Sequence, residues 1–350
     1  MGFGRFGKQM NSLDLLKEYE KLRKKNIQLI AVSNSEWYSL FRDEIRNSIA
    51  IEGIFANRNE LLEVLEKNKR TSDEKSAAIL GYFEAASTLY EYANNLYKEG
   101  EFSIRISDIK QIHTLLMRYE QQVGSFKGKP GDFRLEPVEV NKAKFKPVDY
   151  IFVRETMEIF ILWLNEKLKD PDYDKVKLAA QSHILFETIH PFKDGNGRAG
   201  RILLSFILVG CGYVNVAIKG TQKIDRDKYY DAMETGDSQF ELLIREIERG
   251  KKIKVKEIDN YAGLSNIDLL EEIITSRLND GLKRLSKKEF VEMNHDAVVP
   301  LRDAAKFFNY SQDYLRNLIN KGRLPAEKKG KLWYLKIRDV EKYIKKLSED

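Results

Sequence analysis

The chain has 350 residues, of which 42% are hydrophobic and 33% charged, a balance that describes a globular protein with room for two or three domains, each with its own core. It contains no run of about eighteen apolar residues, and Met1–Gln9 is glycine-rich and basic rather than a secretory leader, so the expectation is a cytoplasmic protein with no membrane partner. The net charge of +6 is unevenly spread, because residues 301–350 hold 13 Lys/Arg against 7 Asp/Glu while residues 1–300 hold 47 of each sign.

Residues 11–100 read as helices, with Leu13, Leu15, Leu16, Tyr19 and Leu22 at helical spacing, followed by Trp37, Leu40, Phe41 and Ile45. Within them Ser48 and Glu52 share a helix face and Gly53 is available as a C-terminal stop. Ser107 is expected to cap a helix carrying Ile109, Ile112, Leu115 and Leu116, on which His113 reads as a packed or capping histidine. Gly131-Asp132-Phe133-Arg134 follows, and alternation at Val138 and Val140 before the polar stretch Asn141–Lys146 predicts a short hairpin.

Val153–Leu168 is amphipathic, with Met157, Phe160, Ile161 and Leu164 on one side and Trp163 near its edge, and Asp170-Pro171-Asp172 ends it. Val176–Ile189 has a mixed apolar pattern that is more helical than strand-like, and Ile202–Val209 is an apolar run that reads as another helix. Cys211, the single cysteine, excludes an internal disulfide and any multi-cysteine metal site, and between Gly210 and Gly212 it reads as a small helix-end residue. Asp225–Ile244 carries Tyr229-Tyr230 and Phe240. Residues 246–298 are charged and poorly patterned, with one further helix over Leu264–Leu285, and read as a connector.

The densest chemistry lies in His190-Pro191-Phe192-Lys193-Asp194-Gly195-Asn196-Gly197-Arg198-Ala199-Gly200-Arg201. His190 can take a proton from a hydroxyl near neutrality, and Asp194 offers hard oxygen suited to magnesium. Gly195 and Gly197 let backbone N–H groups turn toward an anion at the start of the following helix. Arg198 and Arg201, three apart in its first turn, reach one polyphosphate. The glycines also fit G-x-G-x-x-G, but the strand that must precede that dinucleotide fingerprint is missing, and Lys219-Gly220 stand where its acid belongs.

These residues match HPFx[DE]GNGRxxR at every specified position, and the chain therefore resembles the Fic family. The resemblance implies a mainly α fold with a short β-hairpin flap, and magnesium-dependent transfer of AMP from ATP to a protein hydroxyl. It makes His190 the general base, Asp194 the metal ligand, and Gly195, Asn196 and Gly197 the anion hole, with Asn196 on the α-phosphate. Arg198 and Arg201 would hold the β- and γ-phosphates, and Tyr229 would lie on the adenine side. The stretch Ser48-Ile49-Ala50-Ile51-Glu52-Gly53 matches the family's inhibitory pattern [ST]xxxE[GN], in which Glu52 pairs with Arg201. Lys142, Ala143, Lys144 and Phe145 fall at the flap that holds a target segment by strand addition.

From Val299 the text changes. Pro300–Phe308 gives a short helix, Ser311 caps a second running to Asn320, a hairpin turns at Gly330, and Ile337–Leu347 forms a last helix. This resembles the excisionase-type winged helix-turn-helix family, with Gln312, Arg316 and Asn317 facing a major groove and Lys328, Lys329 and Lys331 forming a basic wing.

The expected organisation is an N-terminal helical region with the inhibitory helix over 1–100, a catalytic core over 101–245, a helical connector over 246–298 and a winged helix-turn-helix domain over 299–350. The expected function is autoinhibited transfer of AMP to a Ser, Thr or Tyr hydroxyl of a target or of the chain itself, with duplex DNA as a partner of the last domain. The sequence leaves open an ATP-sensing DNA-binding regulator and a hydrolase that uses Glu52 to remove AMP, and it leaves homodimer formation open.

Overall fold

The computed structural model describes residues 10–25, 28–32, 34–66, 73–139, 146–292, 298–308, 310–330 and 332–349. Contacts divide the chain into a larger unit, residues 1–21 and 40–281, and a smaller one, residues 22–39 and 282–350.

The regular structure among the larger unit's described residues is all helical. After α1 (Ser12–Lys24), α2 (Ser35–Ile51) and α3 (Arg58–Glu66) come the long α4 (Glu74–Glu99) and α5 (Ile106–Val123). A 3-10 turn, Tyr150–Phe152, leads into α6 (Val153–Lys169), followed by α7 (Lys175–Ile189), α8 (Asn196–Gly210), α9 (Lys223–Glu248), α10 (Val255–Leu264) and α11 (Asp268–Glu292). Helix α8 is buried from Ile202 to Gly210 and α7 over most of its length, including the polar Gln181, Ser182 and His183. A helix apolar on every side must sit centrally, and α7 and α8 pack on each other with α4 and α5 against α8 and α9 against α7.

Several local expectations are corrected. Ser107 does not cap α5, because the helix begins one residue earlier at Ile106 and the Asp108 carboxylate accepts from the Arg105 N–H at 2.8 Å. Trp163 is fully buried rather than at an edge. The helix expected over Leu264–Leu285 is α11, starting at Asp268 and running on to Glu292, and a separate helix that was not expected, α10, precedes it and packs on α6 and α9, with Ile258 and Ala262 buried. The poor patterning there reflects a short helix with only one narrow buried stripe. Val138 and Glu139 pair in no ladder, and the remainder of the predicted hairpin, including Lys142, Ala143, Lys144 and Phe145, lies outside the described residues.

In the smaller unit an antiparallel sheet has the order β1-β3-β2, from β1 (Val298–Pro300), β2 (Glu327–Lys329) and β3 (Leu332–Lys336), with Val299 opposite Leu335 and Lys328 opposite Trp333. Helices α12 (Leu301–Phe307), α13 (Gln312–Asn320) and α14 (Ile337–Glu349) complete it. Leu301, Ala304, Leu315, Leu318, Leu335 and Val340 form its core. Ser311 caps α13 as expected, its hydroxyl accepting from the Tyr314 N–H at 3.0 Å, and Gly330 turns the hairpin.

Candidate active site

His190 ends α7 in the left-handed conformation, φ 51°, the one non-glycine residue with positive φ among the described residues. Its N–H bonds the Phe186 carbonyl at 2.9 Å, which turns the chain sharply out of α7 and folds the imidazole back over the last turn. There Nδ1 lies 3.3 Å from the Glu187 carbonyl, so Nδ1 carries the proton and Nε2 is left as the accepting atom. Arg134 holds this strained corner. Its N–H bonds the Pro191 carbonyl at 2.9 Å, its Nε the His190 carbonyl at 2.7 Å, and its guanidinium also reaches the Val148 carbonyl. Burial pushes His190 down to about 4, so the ring is neutral at pH 7.

The turn from His190 into α8 is tied at three points. Asn196 bonds the Phe192 backbone twice, its Oδ1 accepting from N–H at 2.9 Å and its Nδ2 donating to the carbonyl at 2.8 Å. The side chain expected on a phosphate is thus committed to shaping the loop, and Asn196 can contribute to an anion site through its backbone N–H. His113 stacks on Phe192 with ring centroids 3.8 Å apart, accepts from the Gly131 N–H at 2.8 Å and donates to the Asp194 carbonyl at 3.0 Å. That is the packed role expected for it, and burial drops it to about 4. Gly195, at φ 74°, makes the final turn that no β-carbon-bearing residue adopts cheaply. The exposed Asp194 carboxylate accepts from the Gly195 N–H at 2.6 Å through one oxygen.

Beyond the turn the first N–H groups of α8, on Asn196, Gly197 and Arg198, have no intrahelical acceptor and point where an anion would sit. Each arginine behind them meets a carboxylate. Arg198 forms a fork with Glu120 of α5, Nη1 on one oxygen and Nη2 on the other at 3.1 Å, and both side chains are buried. Arg201 donates from Nε to the Ser48 hydroxyl at 2.8 Å and from Nη2 to the Ser48 carbonyl at 3.0 Å and Glu52 Oε1 at 2.5 Å. Arg201 is 4% exposed and Glu52 36%. Burial opposes ionisation of Glu52, but the Arg201 charge and hydrogen bond outweigh it and hold the carboxyl below its usual range. Glu52 has its place because α2 stops there: Gly53, at φ 87°, donates to Ala50 and Ile54 to Ile49, the paired bonds of a left-handed helix terminus.

Within the larger unit, α2 is fastened along the same face that carries Ser48 and Glu52. Fully buried Glu44 accepts from Tyr90 at 2.6 Å, Asn215 at 2.6 Å, Tyr82 at 2.9 Å and Ser205 at 3.3 Å. Asn47 accepts from the Gly220 N–H at 2.9 Å, and Tyr230 donates to the Ile51 carbonyl at 2.9 Å. Burial pushes Glu44 up to about 7 despite its four donors. Tyr229 is buried rather than presented to solvent, hydrogen-bonded through its hydroxyl to His183 Nε2 at 2.7 Å, with the Arg201 guanidinium 5.9 Å from its ring centroid.

The signature residues open onto one cavity of ≈ 390 Å³ whose wall includes Glu52, His190, Asp194, Arg198, Arg201 and Tyr229. The residues that sequence reasoning passed over are Arg134, Glu120, Glu187 and Glu44. Of these only Glu187 had a signal, its i−3 position on the helix before His190. In the smaller unit Gln312, Arg316, Asn317, Lys328 and Lys329 are exposed, and Lys331 lies outside the described residues. Arg316 pairs with Asp313 at 3.0 Å, Lys329 with Glu327 at 3.4 Å, and the Lys328 ammonium sits 5.7 Å from the Trp333 ring centroid.

A profile of the Fic/DOC family matches residues 103–208, and a profile of a helix-turn-helix domain matches residues 301–348. The chain is 30% identical over 308 residues to a probable protein adenylyltransferase of Aquifex aeolicus, covering 87% of each. It is 30% identical to the protein adenylyltransferase Fic of Aedes aegypti over 63% of this chain and 43% of that longer protein. Among solved structures, a Fic domain containing signalling protein from Bacteroides thetaiotaomicron is similar in fold, with TM-score 0.59, 21% identity and coverage of 79% of this chain and 97% of that one. Caenorhabditis elegans Fic-1 is similar with TM-score 0.54, 19% identity and coverage of 80% and 73%.

Proposed function

The chain belongs to the Fic/DOC family, and from this we propose that it is an autoinhibited protein adenylyltransferase, moving AMP from ATP to a Ser, Thr or Tyr hydroxyl of a target protein or of itself. The observation that carries the reading is the convergence on one cavity of a neutral His190, the open N-terminus of α8 and two buried arginines, the second of them occupied by Glu52. In the reaction, His190 Nε2 takes the hydroxyl proton as the oxygen attacks the α-phosphorus and pyrophosphate leaves. The α8 N–H groups bind the phosphoryl oxygens, and Arg198 and Arg201 hold the charge of the leaving group. Glu52 on Arg201 restrains this, because the same guanidinium would bind the γ-phosphate.

Asp194 fits a magnesium ion, since its exposed carboxylate belongs to the cavity wall and only one of its oxygens is bonded, to Gly195, and magnesium is commonly held by one carboxylate with substrate phosphates. Bound there, the ion would neutralise charge on the phosphates. The chain's own residues supply the rest: positioning by the α8 turn and proton removal by His190.

The smaller unit is read as a module for duplex DNA. Its match to a helix-turn-helix profile, the excess of positive charge over residues 301–350 and the exposure of Gln312, Arg316, Asn317, Lys328 and Lys329 support this. The deciding experiment incubates the pure protein and its Glu52→Gly variant with α-labelled ATP and magnesium. Covalent label on the chain or on an added protein supports transfer. The opposite result, label in neither case with ATP still bound, would leave a nucleotide-sensing regulator as the better reading.

A further inference from the structure

A buried carboxyl with no assigned task stands directly behind the base. Glu187 is one helical turn before His190 on α7, and its Oε2 lies 3.9 Å from His190 Nδ1 while its own carbonyl takes the Nδ1 proton at 3.3 Å. Both side chains are largely buried, at 14% and 13% exposure, and Glu187 forms part of the cavity wall. Among the described residues no other carboxylate comes within 4 Å of the His190 ring nitrogens, and Glu187 Oε1 is buried without a hydrogen-bond partner. The fold keeps room for it. A β-carbon on Gly200 would stand 2.1 Å from Glu187 Oε1, so the glycine lets this carboxyl lie against the backbone of α8.

A solvated glutamate would not be packed this way, and a structural one would have both oxygens satisfied. We propose that Glu187 is the positioning residue for His190, its backbone carbonyl orienting the ring through Nδ1 and its carboxylate offsetting the positive charge of the imidazolium formed when Nε2 takes the target's hydroxyl proton. The inference rests on the AMP-transfer reading. The balance is closed: the O–H bond breaks as the O–P bond forms, the proton goes to Nε2, and the bridging electron pair leaves with pyrophosphate. Glu187 changes no bond. Its work is to make an otherwise poor buried base a better one, because burial pushes His190 down to about 4 and an anion beside an imidazolium favours its charged form.

The same burial pushes Glu187 up to about 8, with the Arg201 charge pulling down and the Glu52 charge pushing up. The titratable and charged groups facing it are His183 and His190 on α7, Arg201 on α8, Glu52 at the end of α2, and Tyr229 and Tyr230 on α9. Below that value the carboxyl is neutral and gives the imidazolium no counter-charge; above it the anion is present. Transfer therefore climbs as pH rises through about 8.

The test measures initial AMP transfer against ATP concentration between about pH 6 and 9.5, for wild type, Glu187→Gln, Glu187→Asp and Gly200→Ala. Glu187→Gln is expected to lower kcat at least about tenfold with KM for ATP changed less than about twofold, and to remove the rise with pH. Glu187→Asp should recover part of both. Gly200→Ala, which displaces the carboxyl without deleting it, should reproduce the kcat loss and guards against a Gln variant that fails to fold. Unchanged kcat and pH profile in a folded Glu187→Gln, or a change confined to KM, would overturn the assignment while leaving AMP transfer intact. No label in wild type or Glu52→Gly would overturn both.

Discussion

Replacing Glu52 by glycine is expected to raise AMP transfer roughly 30-fold at ATP below saturation. Glu52 Oε1 lies 2.5 Å from Arg201 Nη2, a charge-assisted hydrogen bond of the kind worth about 1.5–3 kcal/mol. Arg201 is 4% exposed but Glu52 is 36% exposed, so solvent screening places the contribution near about 2 kcal/mol rather than at the top of that range. A γ-phosphate that must displace Glu52 meets that penalty, and about 2 kcal/mol is about 30-fold in apparent affinity. The deletion leaves the rest of the arginine's cradle in place, because Ser48 still accepts from Nε and Nη2. Position 52 lies beyond the last residue of α2, so glycine there costs α2 less than the roughly 0.5–1 kcal/mol of a helix-interior site. The assay is label incorporation from α-labelled ATP at several concentrations, alongside calorimetric ATP binding. The Glu52→Gly/Arg201→Ala double variant should lose the gain. An unchanged or slower rate in the single variant, with ATP affinity also unchanged, would refute the competition argument.

His190→Ala should lower transfer by roughly 10²–10⁴-fold while ATP binding measured by calorimetry stays within a fewfold, since the ring removes a proton and does not hold phosphate. Glu44→Gln should flatten the pH dependence of stability: an acid raised from 4.5 unfolded to about 7 folded binds a proton the unfolded chain has already lost, so its contribution falls as pH rises through that window. The difference amounts to about 3 kcal/mol at most, and equal slopes of Tm against pH for the two proteins would contradict it. For the smaller unit, changing Lys328, Lys329 and Lys331 together should reduce the slope of log K for duplex DNA against log salt by about 2.7 if all three meet phosphates. A slope that does not move would take the wing out of the interface.

The signature was legible because its chemistry is local. Base, acid, turn glycines and arginines are consecutive, and their spacing alone brings them to one helix start. Glu52 was legible only through resemblance, since nothing in Ser48–Gly53 predicts that α2 runs beside α8. What the sequence hid are the partners contributed from elsewhere: Glu120 comes from α5, 78 positions from Arg198, and Arg134 reaches the His190 carbonyl across 56 positions. A lone charged residue on an amphipathic helix reads as solvated, and burial reverses that default only once the facing helix is known. Asn196 carries a local role that its identity did not announce. Its identity fits a phosphate ligand, but a short polar side chain at a helix start satisfies its nearest backbone groups first, and here both its amide atoms go to Phe192.

The two arginines are held by carboxylates of different standing, and that difference bears on regulation. Glu120 is buried at 5% and forks onto Arg198 from a core helix, so removing it would strand a buried guanidinium at a cost of about 3–5 kcal/mol. It acts as a fixed mount that holds the Arg198 guanidinium in the cavity wall. Glu52 is seven times more exposed, sits just past the end of its helix and makes a single hydrogen bond to Arg201, which keeps two further bonds to Ser48 without it. An incoming phosphate can therefore exchange with Glu52 while Arg201 stays in place, whereas exchange with Glu120 would dismantle the site. On this reading control falls on the arginine whose carboxylate can leave, and the network through Glu44, Asn47 and Tyr230 sets how firmly α2 keeps that carboxylate in position.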